Sequence, residues 1–195
     1  LALPTRLRNN ARPGPGAAAR GDFNSFLAAV ILNPREILLS VSLSGNDWAL
    51  DPVISANGQV VAFESAATDL VGLPDANGGG DVFAQDLATG FNELVSVNSG
   101  GTAAASGLSS SPYLSQDGRY VAFQSSGSNL ATNDTNTRVD VYRRDRLSGV
   151  TALVSVNTNG VAGNSSSTVR GISADGRFVV FSSYSFDLVS ADYMQ

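Results

Sequence analysis

One nine-residue phrase, written three times, constrains this chain more than anything else in it. Residues 55–63 read S-A-N-G-Q-V-V-A-F, residues 115–123 read S-Q-D-G-R-Y-V-A-F and residues 173–181 read S-A-D-G-R-F-V-V-F, so successive copies start 60 and 58 residues apart. A period of that size belongs to architectures that stack one supersecondary unit per repeat. Each copy predicts the centre of a β-hairpin. Asn57-Gly58, Asp117-Gly118 and Asp175-Gly176 are dipeptides that tolerate the positive φ angles of a two-residue turn. The residues that follow are apolar on consecutive positions, as in Tyr120-Val121-Ala122-Phe123. Side chains alternate faces along a strand, so such a run needs cover on both sides of its sheet.

The rest of the repeat is legible around that phrase. Leu38-Leu39-Ser40-Val41, Leu94-Val95-Ser96-Val97 and Leu153-Val154-Ser155-Val156 are short alternating runs, each preceded by a turn at Asn33-Pro34, Thr89-Gly90 or Ser148-Gly149. Ahead of the turns come Val82-Phe83-Ala84-Gln85-Asp86 and Val141-Tyr142-Arg143-Arg144-Asp145, with residues 26–31 as a degenerate third copy. One unit therefore has four strands, expected at 112–115, 119–125, 139–145 and 150–156 in the second complete copy. Four antiparallel strands with an inner strand buried on both faces is the pattern of a β-propeller blade. The predicted fold is all-β: a propeller of four-stranded antiparallel blades, about three in number, in an incomplete ring.

The expected organisation is a flexible leader at 1–25, a half blade at 26–42, blades at 52–97 and 111–156, and a half blade at 169–195. The leader carries Pro4, Pro13 and Pro15 without sustained periodicity, and its Arg20-Gly21-Asp22, which spells the integrin-binding tripeptide, is read as linker. Because the pattern starts and stops within a unit, the chain is expected to be a piece of a longer polypeptide or to complete its ring with another copy of itself.

The phrase S-x-D-G-R-Y-V-A-F, followed by D-V-Y-x-x-D-x-x-S-G and L-V-S-V-N, resembles the TolB-type propeller repeat, related to the WD-type propellers. The resemblance covers about 26–189. It implies a bacterial protein located in the periplasm or outside the cell, and a blade shared by binding proteins and by gating domains of peptidases.

Composition narrows the chemistry. Histidine and cysteine are absent and all twelve basic residues are arginine. Ser-His-Asp and Cys-His catalysis, imidazole metal ligation, Schiff-base lysine and the phosphate-loop lysine are thereby excluded, leaving carboxylates, hydroxyls and arginine. A net charge of −5 argues against nucleic acid as the default partner. No apolar run approaches the ~20 residues that would span a bilayer.

Strand alternation predicts that all the long loops, 66–80, 98–111, 126–138 and 157–168, leave one end of the blades, while the other end has tight turns. That loop face and the mouth of the central channel are the expected binding site. Within it, Asp75, Asn77 and Asp81 in D-A-N-G-G-G-D match Asp134, Asn136 and Asp140 in D-T-N-T-R-V-D. Such alternating oxygens suit calcium, but three are few for a cage of six to eight, and an Asx-turn preceding a strand explains the same spacing. No cofactor is expected. Trp48, the single tryptophan, is either an anchor for a partner on a loop at 43–51 or core packed against the next blade, the second being favoured. Arg143-Arg144-Asp145-Arg146 reads as a solvated outer strand. Glu64 is a polar strand end, or one half of a carboxylate pair whose second member the sequence does not identify.

The expected function is a non-enzymatic propeller module that presents its long-loop face to a protein or peptide. The alternatives are an accessory domain of a larger hydrolase, such as a serine peptidase, and a carboxylate-based glycan-active enzyme. No catalytic residue is assigned.

Overall fold

The computed structural model describes residues 26–28, 40–42, 45–75 and 77–190. The leader at 1–25, with its Arg20-Gly21-Asp22, and the turn at Asn33-Pro34 lie outside them. All the strands are antiparallel: β1 (Phe26–Ala28), β2 (Ser40–Ser42), β3 (Ala49–Ile54), β4 (Val60–Ser65), β5 (Asp81–Asp86), β6 (Asn92–Leu94), β7 (Ser109–Leu114), β8 (Tyr120–Ser125), β9 (Asp140–Asp145), β10 (Val150–Leu153), β11 (Ser167–Ile172) and β12 (Val179–Ser183). They form two four-stranded sheets, ordered β3-β4-β5-β6 and β7-β8-β9-β10, flanked by the two-stranded sheets β1-β2 and β11-β12. This is the architecture of propeller blades in an open array.

Consecutive apolar residues in the second strand of each blade go to opposite neighbours. Val60, Ala62, Val82 and Ala84 of the first blade meet Val121, Phe123 and Tyr142 of the second in one core cluster. Val61 and Phe63 turn the other way, with Phe83 and Leu94. One blade further on, Ala122 and Val141 pack with Val169, Ile172, Val179 and Phe181 from β11 and β12. Two of these cores lie between adjacent sheets, and the one around Val61 and Phe63 is completed by the first blade's own loop residues Leu70, Val71 and Leu73. Cross-strand aromatic pairs recur at one register: Phe63 on Phe83 at 5.8 Å and Phe123 on Tyr142 at 5.7 Å between ring centroids. Full burial of one such ring contributes about 1.5–3 kcal/mol.

The nine-residue phrase turns out to be a hydrogen-bonded device, and its turn differs from the expected one. Only the glycines, Gly58, Gly118 and Gly176, have positive φ; Asn57, Asp117 and Asp175 do not. The amide of Gly118 donates to the Ser115 carbonyl at 3.0 Å, so the tight turn spans 115–118 and the glycine follows it in the left-handed region. The reason is the serine. Ser115 Oγ donates to Asp117 Oδ1 at 2.7 Å and accepts the Tyr120 amide at 2.9 Å, while Asp117 Oδ1 also accepts the Arg119 amide at 3.0 Å. Ser55 with Asn57 and Ser173 with Asp175 repeat these bonds.

The same turns tie neighbouring blades. The Gln116 amide donates to the Ala174 carbonyl at 2.9 Å, and the Asn57 amide to the Gln116 carbonyl at 3.3 Å. Gly118 is pressed so closely onto the preceding blade that a Cβ there would lie 2.7 Å from Val60 Cγ2.

The arginine-rich strand β9 is likewise not a solvated face. Arg146 Nε pairs with Glu93 of the first blade at 2.7 Å and its Nη1 donates to the Gly118 carbonyl at 2.8 Å. Arg143 Nη1 reaches forward to the Gly176 carbonyl at 2.9 Å. Asp145 takes both Nε (2.9 Å) and Nη2 (2.7 Å) of Arg119, a bidentate pair that holds its carboxyl well below the usual carboxylate range. The matching first-blade residues, Ala84 and Gln85, lack these charges, so the sequence comparison alone missed that the arginines reach sideways.

Candidate functional site

Strand order brings the segments 66–80, 95–108, 126–139 and 154–166 to one end of the sheets, and the turns 55–59, 115–119 and 146–149 to the other. At the loop end the innermost strands, β3, β7 and β11, share an irregularity. Each has one extra residue opposite its partner: between Leu50 and Val53, between Ser110 and Tyr113, and between Val169 and Gly171. Pro52 and Pro112 sit in the first two bulges, where a strand with a free inner edge tolerates the missing donor. The residues just before them, Asp51 (φ 49°) and Ser111 (φ 56°), are the two non-glycine residues with positive φ among those described. Holding such a residue in the left-handed region costs about 1–3 kcal/mol, and the cost recurs here in adjacent blades.

What the bulges do is converge polar groups. The Ser111 amide faces the Glu64 carboxylate across the blade boundary closely enough to favour its charged form, and Asp51 lies close enough to repel that charge. Partial burial, first, and the Asp51 charge, second, push the Glu64 carboxyl up from its ordinary value against the lowering effect of the Ser111 amide. Gly80 makes room for this: a Cβ there would stand 2.7 Å from Glu64 Oε1 and 3.1 Å from Trp48 Cη2. The indole and the carboxylate therefore share one recess. Trp48 is half-buried, immediately before β3, and its ring edge lies against Gly80. An open groove of about 360 Å³ runs along the bulges, lined by Asp51, Pro52, Val53, Ser111, Pro112 and Tyr113.

Glu64 has counterparts around the array. Opposite Leu50, Ser110 and Thr168 stand Glu64, Gln124 and Ser182. Gln124 Nε2 donates to Ser110 Oγ at 3.2 Å, and its buried Oε1 has no hydrogen-bond partner among the described residues. Arg170 Nε donates to Ser182 Oγ at 3.2 Å. Sequence reasoning singled out Glu64 and Trp48 but not Asp51, Ser111 or Gln124. The recurrence of a residue-proline pair inside an inner strand, Asp51-Pro52 and Ser111-Pro112, was the signal that could have found the first two.

The loop carboxylates form a different arrangement, further out. Asp75 Oδ1 accepts the amides of Asn77 (3.0 Å) and Gly78 (3.2 Å), and Asp134 Oδ1 accepts that of Asn136 at 3.1 Å. Asp81 Oδ1 takes the Ser96 hydroxyl at 2.7 Å, and Ser96 Oγ in turn accepts the Val82 amide at 3.0 Å. Asp140, Ser155 and Val141 repeat the relay at 2.6 and 3.0 Å. Asn77 Nδ2 reaches Asp81 Oδ2 and the Ala105 carbonyl, and Tyr142 Oη donates to Asp134 Oδ2. Among the described residues no three carboxylates converge as a metal-holding group. Burial pushes Asp81 up to about 6, outweighing the hydrogen bonds from Ser96 and Asn77, and raises Asp140 for the same reason. The relay explains why these repeats carry D-V at the start of the third strand and L-V-S-V after the fourth.

Comparison with known proteins gives the following. No protein-family model matches the chain, and no curated protein matches it. Solved structures do. TolB from Acinetobacter baumannii is similar over 74% of this chain at 19% identity and a TM-score of 0.45. A putative TolB from Agrobacterium tumefaciens is similar over 73% at 17% identity and 0.43, and the β-propeller domain of the Trilobed protease from Pyrococcus furiosus over 69% at 13% and 0.41. The chain spans 28%, 41% and 34% of those three chains respectively. No helix among the described residues is long and apolar enough to cross a membrane. The likeness is one of fold alone: this chain is similar to TolB-type and other β-propellers.

Proposed function

We propose that this chain is a non-enzymatic binding module that takes a protein or peptide segment on its long-loop face, with a cationic group of the partner seated at the channel mouth between Asp51, Glu64 and Trp48. The observation that carries the reading is the placement of two repelling carboxylates, one partly buried, beside an indole. A guanidinium or ammonium group relieves that repulsion and gains the ring face as well. The bulged strands hold Asp51 and Ser111 in place at a backbone cost, so the geometry exists before the partner arrives. The resemblance to TolB-type repeats supports a periplasmic or extracellular setting for this interaction.

The single tryptophan supplies the assay. Trp48 emission is followed while the 195-residue chain is titrated with an arginine-containing peptide, and with the same peptide carrying neutral citrulline instead. A saturable change with arginine alone, lost in Asp51→Asn and Glu64→Gln, supports the reading. Equal responses to both peptides, or a response that survives both substitutions, ends it.

One observation favours a second reading, carboxylate-based chemistry on a glycan: Asp51 is the second acid beside Glu64 that such chemistry needs. Hydrolysis of a polysaccharide by the wild type and not by Glu64→Gln would establish it over the first.

A further inference from the structure

The arginines of the second blade show what a guanidinium does in this fold, and one of them does only part of it. Arg119 grips Asp145 with its Nε and Nη2, at 2.9 and 2.7 Å, and Arg146 gives its Nε to Glu93 at 2.7 Å. Arg144 spends only Nη1, on the Gly149 carbonyl at 3.0 Å and on Thr151 Oγ1 at 2.9 Å. Its Nε and Nη2, the two donors that Arg119 turns on a carboxylate, have no hydrogen-bond partner among the described residues. No carboxylate among them forms an ion pair with it either.

The surroundings leave that charge uncompensated. Arg144 stands opposite Val121 and Thr151 in its sheet, on the face that the second blade turns to the first. Burial lowers its guanidinium from the ordinary value, and the charges of Glu93 and Asp145 act the other way without cancelling the effect. Both of those carboxylates are already held, by Arg146 and Arg119. A guanidinium keeps its proton, so this one is a half-buried cation short of a counter-ion.

Beside it there is room. A cavity of about 420 Å³ lies between the first two blades, and Arg144 lines it. That size falls within the roughly 300–1,000 Å³ of small-ligand sites. Leu130 and Ala131, both buried, give it apolar surface. Ser99, Gly100 and Thr132 bring a hydroxyl, an amide and a second hydroxyl that make no hydrogen bond among the described residues.

We infer that this cavity is a carboxylate site, in which Arg144 holds both oxygens of an acid with Nε and Nη2, as Arg119 holds Asp145, while Ser99, Gly100 and Thr132 bind the polar body attached to it. A free organic acid and an acidic residue of a peptide offer the same chemistry here. The inference is independent of what sits between Asp51 and Glu64.

Nuclear magnetic resonance of the isotope-labelled full chain, in a buffer free of carboxylates, tests it by following the Arg144 Nε–H signal, identified by its loss in Arg144→Lys. Glutarate serves as the free acid and a blocked alanine-glutamate-alanine peptide as the acidic residue, with glutaramide and the matching glutamine peptide as neutral controls. A saturable shift is expected with at least one acid and with neither control, and the acid that saturates at the lower concentration identifies the source. Thr132→Glu, at an exposed position on the cavity wall, is expected to weaken binding at least about tenfold, because the new carboxylate occupies the guanidinium or repels the ligand. Arg144→Lys is expected to do the same, read through the amides of Ser99 and Gly100, because an ammonium lacks the fork. If Arg144→Lys fails to fold, assignment by through-bond correlation identifies the signal and Thr132→Glu answers in its place. No shift with either acid, equal shifts with the neutral controls, an equal shift at the exposed Arg138, or binding that survives Thr132→Glu unchanged would overturn the inference.

Discussion

Replacing Gly118 by alanine asks how much of this fold is held by the contact between turns and the preceding blade. The residue has φ +74°, and the new Cβ would lie 2.7 Å from Val60 Cγ2, 2.8 Å from Val60 Cβ and 3.2 Å from Ser55 Cβ. Two costs add. The left-handed backbone costs an L-residue about 1–2 kcal/mol. Forcing a methyl group into a packed boundary costs about 1–3 kcal/mol more, because Val60 is a buried strand residue and not the free end of a flexible side chain. A loss of about 3 kcal/mol corresponds to a fall in Tm of roughly 6–12 °C for a chain of this length. Gly90→Ala isolates the first cost, since Gly90 has φ +73° and nothing within 4 Å of its built Cβ. Its expected loss is about 1 kcal/mol, or roughly 2–4 °C. Thermal and urea unfolding of the two variants against wild type reads the difference. If Gly118→Ala unfolds at the same point as Gly90→Ala, the turn does not bear on the neighbouring blade as argued, and the blade-to-blade packing must be held elsewhere.

Two further outcomes follow from the polar relays. Ser155→Ala removes the hydroxyl that joins the Val141 amide to the fully buried Asp140, and urea unfolding is expected to show a loss of about 2–3 kcal/mol; a loss below about 1 kcal/mol would mean that water replaces the hydroxyl. Stability is also expected to rise on mild acidification: Asp81 sits at about 6 in the folded chain against 3.8 ordinarily, so between those values the folded state holds a proton that the unfolded state lacks. The raised Asp140 and Glu64 act in the same direction, whereas Asp145, held low by Arg119, opposes it only in stronger acid. Urea midpoints at about pH 7 and about pH 5 should therefore be higher at the lower pH, with a smaller gain in Asp81→Asn; no gain, or a reversed one, contradicts the assignment.

Much of the architecture was readable because it is written in local terms and repeated. The serine, the Asp or Asn and the glycine of the phrase act within five residues of one another, and the apolar run after them states by itself that both faces are covered. The turn geometry was misread because an Asn-Gly or Asp-Gly pair is consistent with two turn families; the serine hydroxyl, bonded to the aspartate and to the strand beyond, selects the one seen. The D-x-N loops were readable as Asx-turns, but their closing partners, Ser96 and Ser155, lie 15 residues further on and become neighbours only through the β5-β6 and β9-β10 pairings.

The amino-acid order alone determined that this protein is a stack of thin antiparallel sheets, since period, turn residues and two-sided apolar strands depend on near neighbours along the chain. Tertiary structure alone decided which groups meet beside the bulges of the first two sheets. Asp51 and Glu64 stand on paired strands of one hairpin and Ser111 on the next sheet, and although a residue-proline pair marks Asp51 and Ser111, nothing in the local sequence says that the three meet. They meet where β3 and β7 of adjacent sheets pack, beside the one-residue bulge that each strand carries, and that meeting is a property of packed sheets rather than of any single segment.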